Sequence, residues 1–319
     1  MSNSDITSNL LVTGASGTVG HELVKQLLAS SPLTNQNVIA GVHTKNDAEK
    51  LSKYSGLKIV DLDYNKTDTI TNAFRNVNSL FLLTIPNPDS IDNFSDLIKL
   101  AKNNGISYVV KLSVQETIDS EPQTILGRLH KQEEKIIVES GIPHTFLCPT
   151  GFMQNFVTFY GDTIRTQNAF YAPAGDGKVS FVDSIDIATV AATILLSQST
   201  ERKQYENQSF NLTGPEALSY GQAAEIISNI VGRIISYRDI PENKARDNME
   251  KLGMKKWLVD AIIELHHITK SGKATGTTDS VESITGRKPH RFEEFVIDNI
   301  SSFKVTNNVT QCFQSIILL

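Results

Sequence analysis

The chain has 319 residues, enough for one large α/β domain with an appended lobe or for two modest domains. Hydrophobic residues make up 39% and charged residues 20%, as in a soluble globular protein. The formal net charge of −5 argues against a nucleic-acid groove, which needs a basic face.

Six apolar runs set the rhythm of the first half: "NLLVT" (9–13), "NVIAGV" (37–42), "LKIVDL" (57–62), "SLFLLT" (79–84), "SYVVKL" (107–112) and "PHTFLC" (143–148). Each has strand length and is continuously apolar, the pattern of strands covered on both faces. Amphipathic stretches lie between them. In the first, Val19, Leu23, Val24, Leu27 and Leu28 share one helix face. Six successive βα units predict a doubly wound, Rossmann-like parallel sheet. After Pro149 the rhythm breaks. A hairpin is expected around "PAGDGK" (173–178), a helix over 184–197, a strand at "SFNLTG" (209–214) and a helix over 219–232. From 242 to 300 the pattern is helical and more charged, with Trp257, Leu258 and Ile262 as expected core. This predicts a smaller, mainly helical C-terminal lobe. The expected division is 1–155, 156–300 and a disordered tail over 301–319.

The first strand runs into G-x-x-G-x-x-G at Gly14, Gly17 and Gly20, and an amphipathic helix follows. In that setting the motif reads as a dinucleotide cradle. The first glycine makes the turn, the second lets the diphosphate approach, and the third lets the helix pack on the sheet. Free N–H groups of the first helical turn meet the anion. Thr13, Ser16 and Thr18 are placed to add hydroxyl donors. At the end of the second strand, "GVHTKND" offers His43 and Lys45 where an NAD site usually has a carboxylate. A cation pairs with a 2′-phosphate, so NADP(H) is favoured, with NAD(H) as the alternative.

Several stretches together resemble NmrA-type proteins, atypical relatives of the short-chain dehydrogenase/reductases. They are "VTGASGTVG", "DLDYNKTD", "SLFLLTIP", "LHKQEEKIIVESGIPHTFLCPTGFMQNF", "DSIDIATVAATIL", "FNLTGPEALSYGQAAEIIS" and "SVESITGRKPHRFEEFVIDN". The resemblance covers nearly the whole chain to about Asn299. It implies a Rossmann-like domain with a small C-terminal lobe, and either NAD(P)H-dependent reductase activity or dinucleotide-reading regulation. It places Gly14, Gly17 and Gly20 at the pyrophosphate, with Thr18 and Val19 as backbone donors and His43 at a 2′-phosphate. Asp63 and Tyr64 would border the adenine. Thr84, Ile85 and Pro86 would lie by the nicotinamide-side ribose, and Thr150, Gly151 and Phe152 at the nicotinamide. Phe152, Met153, Asn155 and Phe156 would line a substrate pocket.

The usual proton relay of the wider group, Tyr-x-x-x-Lys, is missing from 123–140. Tyr54–Lys58 has the spacing but spans a turn. Ser113 ends the fifth strand without a tyrosine partner. Lys131 and His130 are the candidate catalytic groups, Lys131 also a candidate cofactor contact, against the plain reading of "HKQEEK" as a solvated helix face. Cys148, ending an apolar strand, reads as a buried structural thiol. Cys148 and Cys312 are too far apart in sequence to suggest a disulfide framework. His266 and His267 are consecutive on a helix and lack partners at ligand spacing, so no metal is implied. The polar N-terminus has no signal core and no run reaches membrane-spanning length, so a cytoplasmic location is expected, or nuclear for a regulator. The missing relay favours a redox sensor that reads NADP(H) and engages a regulatory protein. The alternative is a reductase of a quinone or other small aromatic or carbonyl acceptor. No direct nucleic-acid or membrane partner is expected.

Overall fold

The structure, a computed structural model, describes residues 8–34, 36–84, 87–118 and 121–305. Two compact units are interleaved along the chain. The first comprises Met1–Glu121, Gly127–Cys148 and Ile187–Asn211; the second comprises Pro122–Leu126, Pro149–Asp186 and Leu212–Leu319. The division is therefore not the simple succession expected around residue 155.

The first unit carries the βα repeats. In chain order they are β1 (Ser8–Val12), α1 (Thr18–Thr34), β2 (Gln36–Val42), α2 (Lys45–Leu51), β3 (Lys58–Asp61), α3 (Thr67–Phe74), β4 (Ser79–Leu82), α4 (Ile91–Asn103), β5 (Tyr108–Leu112), α5 (Ile125–Ser140) and β6 (His144–Pro149). The chain continues through α6 (Asn155–Thr158), α7 (Gly161–Gln167), β7 (Ala169–Ala172), β8 (Lys178–Val179), α8 (Ser184–Leu196), α9 (Ser199–Arg202) and β9 (Gln208–Leu212). The seven-stranded sheet has the order β3-β2-β1-β4-β5-β6-β9. Neighbours from β3 to β6 pair in parallel. The six expected strands are all present, and their runs of Val, Ile, Leu and Phe are buried in all but β3, the outermost strand, whose residues are half-buried or exposed. β4, β5 and β6 are buried at every residue. Val19, Leu23, Val24 and Leu27 of α1 are buried as the periodicity predicts. The strand order reverses between β1 and β4, which opens a crevice at the carboxyl ends of those strands.

The second unit also holds β10 (Leu218–Ser219), α10 (Tyr220–Val231), β11 (Ser236–Asp239), α11 (Glu242–Lys251), α12 (Lys256–Lys270), α13 (Ser280–Thr285), α14 (Phe292–Asp298) and α15 (Ile300–Phe303). α10 opens with a capping box between Ser219 and Gln222. The hairpin expected around 173–178 does not form. β7 pairs in parallel with β11 and β8 pairs with β10, so each arm takes a distant partner. On α12 the buried positions fall to Val259, Ala261, Ile263, His266 and Thr269, leaving Trp257, Leu258 and Ile262 half-buried. His290 grips Asp186 twice, through its backbone N–H at 2.8 Å and its Nδ1 at 2.7 Å. Order extends past residue 301, where the tail was expected to begin. Phe303 is buried against Phe295, with ring centroids 6.4 Å apart. No helix among the described residues is long and apolar enough to cross a membrane.

Candidate functional site

The glycine loop joins β1 to α1 beside the crevice. Gly14 has φ of +60°, a conformation that a side chain would strain. Its carbonyl takes the Gly17 N–H at 3.0 Å, closing the turn. The His21 N–H is the first to close on the helix, bonding the Gly17 carbonyl at 2.9 Å. The N–H groups of Thr18, Val19 and Gly20 therefore have no backbone acceptor among the described residues and stand ready for an anion. A Cβ on Gly20 would lie 2.2 Å from the Gly14 carbonyl oxygen. The helix start can lie this close to the loop only because residue 20 has no side chain. The loop thus fits a pyrophosphate, and it would hold one through backbone donors.

The flanking hydroxyls divide. Thr13 is not a ligand donor: its hydroxyl accepts the Leu83 N–H at 2.8 Å and points at the Phe81 and Leu83 carbonyls, tying β1 to β4. The Ser16 hydroxyl lies close enough to the Asp47 carboxylate to help lower its pKa. Thr44 caps α2 and donates to that same carboxylate at 2.6 Å; this bond first, with help from Lys50 and Ser16, lowers the Asp47 pKa. Asp47 therefore reaches the glycine loop although it lies well past the fingerprint position for an acid. His43 is exposed and 3.8 Å from Asp63, and Lys45 is exposed at the start of α2. Asp63 is buried and accepts the Asn65 N–H at 2.9 Å and the Lys66 ammonium at 3.0 Å. Those bonds, the backbone one first, hold its carboxyl below the usual range. Tyr64 donates to the Leu83 carbonyl at 3.0 Å, and burial raises its phenol pKa. Ile85 and Pro86 lie outside the described residues.

At the ends of β4 and β5 the sheet holds a polar cluster that the motif reading missed. Lys111, within the apolar run of β5, is fully buried. Its Nζ donates to the Leu112 carbonyl at 3.0 Å and lies 3.0 Å from His130 Nδ1 and 2.8 Å from Glu133 Oε2. Thr84 donates its hydroxyl to the same Glu133 oxygen at 2.8 Å. Ser113 donates to Glu134 Oε1 at 2.5 Å, also in a buried setting. Burial, reinforced by the Lys111 charge, holds the His130 pKa well below its ordinary value, so the ring is neutral. Of the two adjacent candidates, His130 turns inward. Lys131 is 41% exposed at its side chain and lies 3.9 Å from Glu134 Oε2. "HKQEEK" is therefore not a solvated face: His130, Glu133 and Glu134, at i, i+3 and i+4, form one buried polar stripe. A lysine inside a strand covered on both faces was the signal available in the sequence.

Thr150, Gly151 and Phe152 belong to the second unit. Thr150 donates its hydroxyl to the Ser180 carbonyl, and Phe152 bridges Val182. Met153 and Phe156 do not line an open pocket. Both are buried, and Phe156 is the hub of an aromatic core with Phe170, Phe181 and Phe292 at centroid distances of 5.6, 5.2 and 4.8 Å. Tyr54 hydrogen-bonds His21 at 2.9 Å, so the stray Tyr-x-x-x-Lys is part of a turn contact. Cys148 is buried in the core. His266 is buried and His267 pairs with Glu242; no group of three or more metal-ligating side chains occurs among the described residues.

A family model described as the NmrA-like family matches residues 6–296. The chain belongs to the NmrA-like family. The NmrA-like chain is 32% identical over 297 residues to an NAD(P)H azoreductase of Xenophilus azovorans, covering 92% of this chain and 99% of that one. Its fold is similar to an NADPH-dependent quinone oxidoreductase from Escherichia coli, solved with NADPH, at a TM-score of 0.78 and 22% identity. That match covers 91% of this chain and 99% of the other. It is also similar to NmrA, a negative transcriptional regulator solved with NADP, at a TM-score of 0.74 and 16% identity, over 93% and 97% of the two chains.

Proposed function

We propose that this NmrA-like protein is an NADP(H)-dependent reductase acting on a quinone, azo compound or similar conjugated acceptor. The observation that carries the reading is the pairing of an anion cradle with a buried polar cluster at the same sheet edge. The cradle is the loop of Gly14, Gly17 and Gly20, with the N–H groups of Thr18, Val19 and Gly20. The cluster is Thr84, Lys111, His130 and Glu133. Holding a buried ammonium, imidazole and carboxylate together is costly for a fold, and such clusters concentrate where chemistry is done. The azoreductase relative supports the acceptor class. The cofactor would supply hydride, and the chain's own part is to bind it, orient the acceptor and offer a donor to the atom that gains charge. A quinone or azo group is an easy hydride acceptor, so the absence of a Tyr-x-x-x-Lys pair is no obstacle.

His43 and Lys45 support NADP(H), whereas Asp47 at the loop opposes a 2′-phosphate and leaves NAD(H) usable. The regulatory reading draws support from the likeness to NmrA and from the missing tyrosine relay. A single experiment separates the two. NADPH and NADH oxidation is followed with naphthoquinones, benzoquinones and azo dyes as acceptors. Turnover with any of them is the expected result. Tight cofactor binding with no turnover across the panel refutes the reductase and favours the sensor.

A further inference from the structure

We propose that Lys111 is a positioning residue whose ammonium fixes His130 in the tautomer with its hydrogen on Nε2, making the imidazole a neutral N–H donor to the acceptor. The inference rests on the reductase reading above and names a role that the glycine motif does not supply.

A lysine ammonium has three N–H donors and no lone pair. Those of Lys111 face the Leu112 carbonyl at 3.0 Å, His130 Nδ1 at 3.0 Å and Glu133 Oε2 at 2.8 Å. Nδ1 must then accept, and the single hydrogen of a neutral ring lies on Nε2. The alternatives fail on charge. A protonated ring would set two cations 3.0 Å apart in a fully buried place. A neutral Lys111 amine accepting from Nδ1 would leave the buried Glu133 carboxylate without its countercharge. Glu133 is itself held by the Thr84 hydroxyl at 2.8 Å, so the carboxylate that steadies Lys111 is anchored to the end of β4.

Nε2 has no hydrogen-bond partner among the described residues. It is also not among the enclosed side-chain atoms left unsatisfied. It is therefore open to an outside acceptor. The charged groups facing the ring are Lys111 from β5 and Glu133 from its own helix; Thr84, from the end of β4, is uncharged. A neutral imidazole N–H polarises an oxygen or nitrogen as charge builds there, and its strength does not depend on pH near neutrality. The electrons balance simply. The acceptor gains one hydrogen with two electrons from the dihydronicotinamide, which is oxidised. The acceptor anion then takes a proton from water, and His130 keeps its own.

Long-range proton–nitrogen NMR of histidine-labelled protein reads the tautomer directly, with the His130 signal assigned by its loss in His130→Gln. The expected spectrum is the neutral Nε2–H form throughout about pH 5.5 to 8. An Nδ1–H form or a charged ring in the wild-type protein overturns the proposal, and neither observation needs turnover. The double variant Lys111→Met with Glu133→Gln, which leaves no buried charge unpaired, is expected to show mixed tautomers or a titrating ring. An unchanged Nε2–H signal there removes Lys111 from the role. In turnover, His130→Phe is expected to lower kcat about a hundredfold while the NADPH Kd stays within about twofold. An unchanged kcat in that variant overturns the donor role. If the wild-type protein turns over no acceptor, the reductase reading and the donor role fall together, while the spectra still decide the tautomer.

Discussion

Replacing Gly20 by alanine tests the cradle at its tightest point. The new Cβ would lie 2.2 Å from the Gly14 oxygen, 2.8 Å from the Gly14 carbonyl carbon and 3.0 Å from the Ala15 Cα. All three are backbone atoms, so no side-chain rotation relieves the clash, and the loop or the helix start must move by about 1 Å to restore ordinary contact. Overpacking of this kind costs about 1–3 kcal/mol, which lowers Tm by roughly 2–5 °C for a chain of this size. The same shift misaligns the first-turn N–H groups. Losing one or two charge-assisted bonds at about 1.5 kcal/mol each weakens NADPH binding roughly tenfold to a hundredfold. Thermal melting and NADPH fluorescence titration read the two effects. Gly221→Ala is the control: it lies in the first turn of α10 and its Cβ would meet only the Ser219 hydroxyl at 3.6 Å. Alanine there should leave binding alone and hold or raise stability by about 0.5–1 kcal/mol. A Gly20→Ala protein that melts and binds like wild type would refute the close-approach argument.

Three further outcomes are expected. Lys111→Met alone should cost about 3–5 kcal/mol by leaving the Glu133 carboxylate buried and unpaired, and adding Glu133→Gln should recover most of it, as measured by urea unfolding of the double-mutant set. In His290, burial lowers the imidazole pKa, but the Asp186 carboxylate outweighs it and the net shift is upward. A raised folded pKa stabilises fully below the unfolded value of 6.5 and is lost as pH rises through the folded value. The stability gap between wild type and His290→Gln should therefore narrow as pH climbs above about 6.5, and a gap that widens would contradict the pairing. Asp47→Asn removes the carboxylate that Thr44 and Lys50 hold beside the glycine loop. It should shift the NADPH-to-NADH affinity ratio toward NADPH by about threefold to tenfold, as titration of both cofactors would read, since an anion no longer faces the 2′-phosphate.

Much of the first unit was legible because one physical rule wrote it. Strands buried on both faces must be mainly apolar, and most of the six runs from "NLLVT" to "PHTFLC" are. The glycine spacing was equally readable, since close approach and positive φ admit few other residues. Contacts made by distant polar side chains were not legible. Nothing local tells that Thr13 serves β4 or that Asp47 folds back to Ser16. Lys111 was the missed clue. A charge inside "SYVVKL" contradicts the apolar pattern, and only a partner on the next helix reconciles it. The pairing of β7 with β11 was hidden too, because a four-residue strand in "SYRD" carries almost no periodic signal. Met153 and Phe156 read as a pocket wall because large apolar residues after a strand suit either a cavity or a core, and burial alone separates the two.

The interleaving of the two units has a consequence for how the chain is made. β6 is buried along its whole length, and β9, which lies beside it in the sheet, is synthesised some sixty residues later. Until β9 and the helix α8 have emerged, β6 is an unpaired apolar edge, the kind of template on which nascent chains stick to one another. A nascent or truncated chain stopped near residue 155 is therefore not a smaller domain but an unfinished one. The sheet closes only after residue 212, so the protein's most exposed moment falls in the middle of its own synthesis.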